Sequence, residues 1–158
     1  MVKRVAIRDF NDGIHHGFRD ACAYYNRGNA RFQLGDKQGA FEDYTQALYF
    51  RPDDADTYYN RGNARFQLGD KQGALEDYTQ ALILEPNFVE AHVNRGNARF
   101  QLGDKQGALE DYTQALYFRP NDSVAYYNRA GVYFEFGYGE ESIKDLTRAL
   151  FPSFHTSQ

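Results

Sequence analysis

The chain of 158 residues has one cysteine, Cys22, so no internal disulfide can form. Long apolar runs are also missing. No stretch of about 18 apolar residues occurs, so no membrane-spanning helix is expected. The opening MVKRVAIRDF has no apolar segment after Lys3 and Arg4, so no secretory leader is expected and the anticipated setting is soluble and cytoplasmic. Nor is there an excess of positive charge: 18 basic residues stand against 22 acidic ones, for a formal net charge of −4. Phosphate neutralisation needs a basic face, so nucleic acid is not an expected partner, and neither is a membrane. Catalytic groupings are absent too, with no Ser/His/Asp set, no phosphate loop and no Cys-His motif. His15 and His16 are adjacent and cannot share a helix face, while His92 stands alone at a packing position. No enzyme activity, cofactor or metal is expected.

What is present is a repeat. Asn26–Leu48 reads NRGNARFQLGDKQGAFEDYTQAL, and it recurs at Asn60–Leu82 and Asn94–Leu116 with one change, Phe41 becoming Leu75 and Leu109. The period is 34 residues, and a degraded copy occupies Asn128–Leu150. A fixed period of this size means stacked supersecondary units in place of one globular core. Hydrophobic residues at 42%, with 16% aromatics, suffice to bury a continuous core along such a stack.

Each unit reads as two helices. Helix A of the first copy is expected over Ala21 to Leu34 and helix B over Lys37 to Phe50. Between them Gly35 suits the left-handed residue that ends a helix, and Asp36 suits the N-cap of the next. Pro52 closes helix B, and Asp53 or Asp54 caps the following helix A. The same punctuation returns as Gly69-Asp70 with Pro86, then as Gly103-Asp104 with Pro120. Asn121-Asp122-Ser123 fits a glycosylation sequon, but its place at a helix start favours a capping role. In helix B, Ala40, Phe41, Tyr44, Ala47 and Leu48 form the i, i+3, i+4, i+7 stripe of a buried face. Gly28 is expected to face Ala40 and Ala47, letting the two backbones approach.

At Tyr24, Gly28, Ala40, Tyr44, Ala47 and Pro52, and at their equivalents one and two periods later, the chain resembles the tetratricopeptide repeat (TPR) family. Arg27 stands where the family usually has leucine, and Arg31 where it has tyrosine. The resemblance implies an all-α, right-handed α-solenoid of stacked helix-turn-helix hairpins. The expected layout is an unpaired helix B of a truncated repeat in residues 1–20, then repeats in 21–54, 55–88 and 89–122. A divergent repeat in 123–152 and a tail in 153–158 follow, making about 4.5 repeats and nine helices.

Stacking would turn single helix A residues into ladders along a concave groove. The candidate groove residues are Tyr25, Asn26, Asn29, Phe32 and Gln33, then Tyr59, Asn60, Asn63, Phe66 and Gln67, then Asn94, Asn97, Phe100, Gln101, Tyr127 and Asn128. Carboxamides offer donors and acceptors to the backbone of an extended peptide, and aromatics beside them add contact area at low entropy cost. The same asparagines can instead cap or bridge neighbouring helices. Some TPR proteins clamp the terminal carboxylate of chaperone tails with basic residues. Those positions here are Tyr25, Tyr59, Val93, Cys22, Asp56 and Glu90, none of them basic, so chaperone-tail binding does not carry over.

Arg27, Arg61, Arg95 and Arg129, with Arg31, Arg65 and Arg99, lie on the opposite side of helix A and recur in step with Asp43, Asp77, Asp111 and Asp145. That pairing favours structural ion pairs over an anion site. The sequence therefore points to a scaffold that binds a peptide or protein segment in the groove. The alternatives are a self-assembling module that uses its open helical ends, or a regulatory or targeting subunit of an enzyme complex. The ends expose apolar residues and allow a weak homodimer through the terminal helices.

Overall fold

The computed structural model describes residues 20–151, together with Ile7 and Asn11, which are both helical. Among these residues the regular structure is eight α-helices: α1 (Ala21–Gln33), α2 (Lys37–Phe50), α3 (Ala55–Gln67), α4 (Lys71–Leu84), α5 (Val89–Gln101), α6 (Lys105–Phe118), α7 (Ser123–Glu135) and α8 (Gly139–Leu150). The sequence called for nine. The additional one, over residues 5–14, lies outside the described residues except at Ile7 and Asn11. None of the described helices is long and apolar enough to cross a membrane.

The chain divides into two compact units, Met1–Glu85 and Pro86–Gln158. The first holds the hairpins α1–α2 and α3–α4, with α3 packed on α2. The second holds α5–α6 and α7–α8, with α7 packed on α6.

The turn within each hairpin follows from its residues. Gly35, Gly69, Gly103 and Gly137 sit at φ 91°, 90°, 89° and 79°, a region that side chains with a Cβ rarely enter. In the first hairpin Asp36 N–H returns to Arg31 C=O at 3.0 Å, and Gly35 N–H to Phe32 C=O at 3.1 Å. Those two bonds satisfy carbonyls left open at the end of α1. Asp36, Asp70 and Asp104 then cap α2, α4 and α6 by accepting from the N–H of Gly39, Gly73 and Gly107. Asp54 caps α3, and Asp122 caps α7 by accepting from Ala125 N–H at 2.8 Å. Phe88 and Tyr138 replace aspartate ahead of α5 and α8, and those two helices have no side-chain cap.

The core of each unit is built around a tyrosine of helix B. In the first unit Tyr44 joins Ala40 and Ala64, with Tyr25, Phe32 and Phe41 against them. In the second, Tyr112 joins Val89, Val93, Ala108, Ala115, Leu116, Ala125 and Val132. Tyr44, Tyr78 and Tyr112 are 1%, 1% and 2% exposed, and burial of each ring stabilises by about 2–3 kcal/mol. The glycine opposite proves to serve the ring itself. A Cβ at Gly28 would stand 2.7 Å from Tyr44 Cε1, so the close approach expected against Ala40 and Ala47 is made to Tyr44.

Candidate functional site

The candidate residues fall on one face of each first helix. On α1, Tyr25, Asn29 and Phe32 are half-buried, while Asn26 and Gln33 are exposed. On α3, Tyr59, Asn60, Asn63 and Phe66 are half-buried and Gln67 exposed. On α5, Asn94, Asn97 and Phe100 are half-buried and Gln101 exposed. On α7, Tyr127 is exposed and Asn128 half-buried.

The asparagines are held from behind. Tyr44 Oη donates to Asn29 Oδ1 at 2.8 Å, Tyr78 Oη to Asn63 Oδ1 at 2.8 Å, and Tyr112 Oη to Asn97 Oδ1 at 2.7 Å. Burial is the main reason these three hydroxyls are pushed above the ordinary tyrosine range, so they stay protonated and act as donors. Adjacent repeats are also bridged within each unit. Asn60 Nδ2 donates to Tyr25 Oη at 3.0 Å, and Asn128 Nδ2 to Asn97 Oδ1 at 3.0 Å. The amide NH2 groups of Asn29 and Asn97 have no hydrogen-bond partner among the described residues. The buried tyrosines were not among the sequence candidates, although the constant 15-residue offset from Asn29 to Tyr44 was a signal available for finding them.

The aromatics are similarly fixed. Tyr25 lies 6.1 Å from the Tyr44 ring and Tyr59 lies 6.0 Å from the Tyr78 ring. Lys37 Nζ sits 3.7 Å from the Phe32 ring centroid while donating to Phe32 C=O at 2.9 Å. A face whose amides and rings are already oriented loses little freedom when a ligand binds.

The opposite side of the first helices carries the ion pairs. Arg27 Nε and Nη2 meet Asp43 Oδ2 and Oδ1 at 2.9 and 2.6 Å, and Arg61 meets Asp77 in the same fork at 2.9 and 2.7 Å. Arg95 pairs with Asp111 and Arg129 with Asp145. The four aspartates are 2–3% exposed. A second arginine approaches each of three of them: Arg31 Nη1 at 3.0 Å, Arg65 Nε at 3.5 Å and Arg99 Nη1 at 3.1 Å. The hydrogen bond to Asp43 raises Arg27 further into the charged range. Burial alone would raise the Asp111 carboxyl, but contacts from His92, Arg95 and Arg99 outweigh it and hold that carboxyl below the ordinary range. An open cleft of about 460 Å³ beside the first pair is lined by Arg27, Arg31, Phe41, Glu42, Asp43, Thr45 and Gln46. Its two arginines are balanced by two carboxylates, so it has no charge excess to attract an anion. His92 stacks on Phe118 at 5.8 Å, its Nε2 lies 2.9 Å from Pro86 C=O, and it is buried, deeper than the half-buried packing position expected for the residue that replaces Tyr24.

The TPR repeat family matches residues 28–69, and the tetratricopeptide repeat matches residues 55–88 and 89–122. No curated protein sequence matches the chain. Among solved structures, MamA residues 41-end from Desulfovibrio magneticus RS-1 is 17% identical with a TM-score of 0.90, covering 99% of this chain and 88% of that one. YrrB, described as a TPR protein with an unusual peptide-binding site, is 21% identical with a TM-score of 0.83, covering 98% and 79%. The first TPR of Spaghetti (RPAP3), bound to the HSP90 peptide SRMEEVD, is 27% identical with a TM-score of 0.73, covering 74% and 93%. Matches over consecutive 34-residue units, together with hairpins built on Gly28, Ala40, Tyr44 and Ala47, place this chain in the tetratricopeptide repeat family.

Proposed function

We propose that the protein is an interaction scaffold that binds an extended peptide or protein segment along its first-helix faces. The observation that carries this reading is the tethering of Asn29 and Asn97 by buried tyrosine hydroxyls, which leaves their NH2 groups without a partner among the described residues. An oriented carboxamide donor beside a half-buried aromatic suits a backbone carbonyl and its neighbouring side chain. The similar structure bound to a peptide, and the one described as having a peptide-binding site, support a protein ligand of this kind. The SRMEEVD peptide itself is not carried over, because none of Cys22, Tyr25, Asp56, Tyr59, Glu90 and Val93, at the clamp's basic positions, is itself basic.

The test uses exposed positions that make no side-chain hydrogen bond or ion pair among the described residues. Asn26→Arg, Gln33→Arg and Gln67→Arg together should leave the thermal melt within about 0.5 kcal/mol of the parent, as for other surface changes. The same triple variant should lose the proteins that the parent captures from lysate, read by mass spectrometry. Unchanged capture would move the binding surface elsewhere.

A further inference from the structure

Helix α8 exposes a face that α2 and α6 have covered. Leu48 is 6% exposed and Leu116 is 7%, but their equivalent Leu150 is 71% exposed. Phe41 and Leu109 pack against their core clusters, whereas the equivalent Ile143 is 67% exposed. A unit built to end a stack carries polar residues on its outer face. This one keeps isoleucine and leucine.

We propose that the outer face of α8 is a docking site for the first helix of a further hairpin repeat on a partner polypeptide. The chain itself supplies the template for the occupant. In the first unit α3 covers α2, bringing Ala64 into the Ala40–Tyr44 cluster and setting the Arg65 guanidinium 5.3 Å from the Phe41 ring centroid. In the second unit α7 covers α6, with Ala125 and Val132 joining Leu116 while Arg129 Nη1 donates to Thr113 Oγ1 at 3.3 Å. Arg27 makes the matching bond to Asn11 Oδ1 at 2.7 Å, one period ahead of Thr45. On α8 the same three positions read Ile143, Thr147 and Leu150, so the face is continuous in kind with an interface made twice within this molecule. The occupant is an amphipathic helix with small apolar residues along one stripe and an arginine placed to reach Thr147 Oγ1. In a second copy the arginine-bearing faces of α1, α3 and α7 are already engaged, and Ala98 on α5, the equivalent of Ala64, is fully buried, which makes another polypeptide the occupant.

The probe is a lactam-stapled, fluorescent peptide with the sequence of α7, titrated against the full chain by anisotropy, its helicity checked by circular dichroism. Saturable binding is expected, weakened about tenfold or more by Ile143→Glu with Leu150→Glu and by Thr147→Arg, each checked for unchanged helicity. Replacing the peptide's arginine by alanine should weaken it too. The Asn26/Gln33/Gln67 arginine variant should bind the peptide normally, which separates this face from the peptide-binding one. Absence of saturable binding overturns the proposal, as does binding insensitive to the α8 variants, which would mean exchange with α7. A parent chain that scatters light as a dimer, and a double variant that does not, would assign the face to a second copy instead.

Discussion

At the scale of single residues, three positions change together. In the first three repeats a glycine, an asparagine and a tyrosine form one device: Gly62 admits the Tyr78 ring, and Asn63 accepts from its hydroxyl. In the fourth they become Ala130, Gly131 and Leu146. Leucine has no hydroxyl, so the asparagine loses its donor, and its smaller side chain leaves room for an alanine Cβ. Gly62→Ala alone should therefore destabilise by about 1–3 kcal/mol, because its Cβ would stand 2.7 Å from Tyr78 Cε1. Combining Gly62→Ala with Tyr78→Leu should cost less than the two singles added, by a coupling of about 0.5–3 kcal/mol. Urea unfolding of the four proteins measures the cycle, and simple additivity would show that glycine and tyrosine do not share the space.

At the scale of the element, caps and turns were the most legible part of the sequence. Gly35 and Asp36 have fixed local consequences, and the structure has both residues in the expected roles. The Arg27–Asp43 fork was legible for a similar reason, since helical spacing and a common period left each arginine facing one aspartate. The asparagines were harder to read. Helical periodicity places Asn29 on a face, but whether its oxygen meets solvent or Tyr44 Oη depends on how two helices cross, which no local pattern encodes. The missing cap at Phe88 is another case, because a periodic aspartate predicts its neighbours only while the repeat is kept. The capping argument can be tested in the second hairpin. Asp70 accepts from Gly73 N–H at 2.9 Å, so Asp70→Ala should cost about 1 kcal/mol and Asp70→Asn much less, since an asparagine oxygen can accept the same bond. Equal losses in the two melts would assign the effect to the charge near Arg65 instead.

At the scale of the whole chain, the same buried groups bound the pH range of stability from both sides. Tyr44, Tyr78 and Tyr112 are raised above the ordinary tyrosine value by burial. A raised group stabilises fully below its unfolded value of about 10, and that contribution is lost as pH rises toward the folded value. Asp111 is lowered, so its contribution is present above the unfolded carboxylate value of about 4 and fades as pH falls below it. Thermal stability should accordingly fall on both limbs. Tyrosinate absorbance should show Tyr44, Tyr78 and Tyr112 titrating only with loss of helix. Asp111→Asn leaves Arg95 and Arg99 without their carboxylate, so it should cost about 1–3 kcal/mol at neutral pH. As pH falls from the unfolded carboxylate value toward the lowered folded one, the parent progressively loses the same interaction, so the gap between the two proteins should narrow. A gap that stays constant down to pH 2 would mean that Asp111 contributes through packing and neutral hydrogen bonding, and that the ion pair adds nothing to stability.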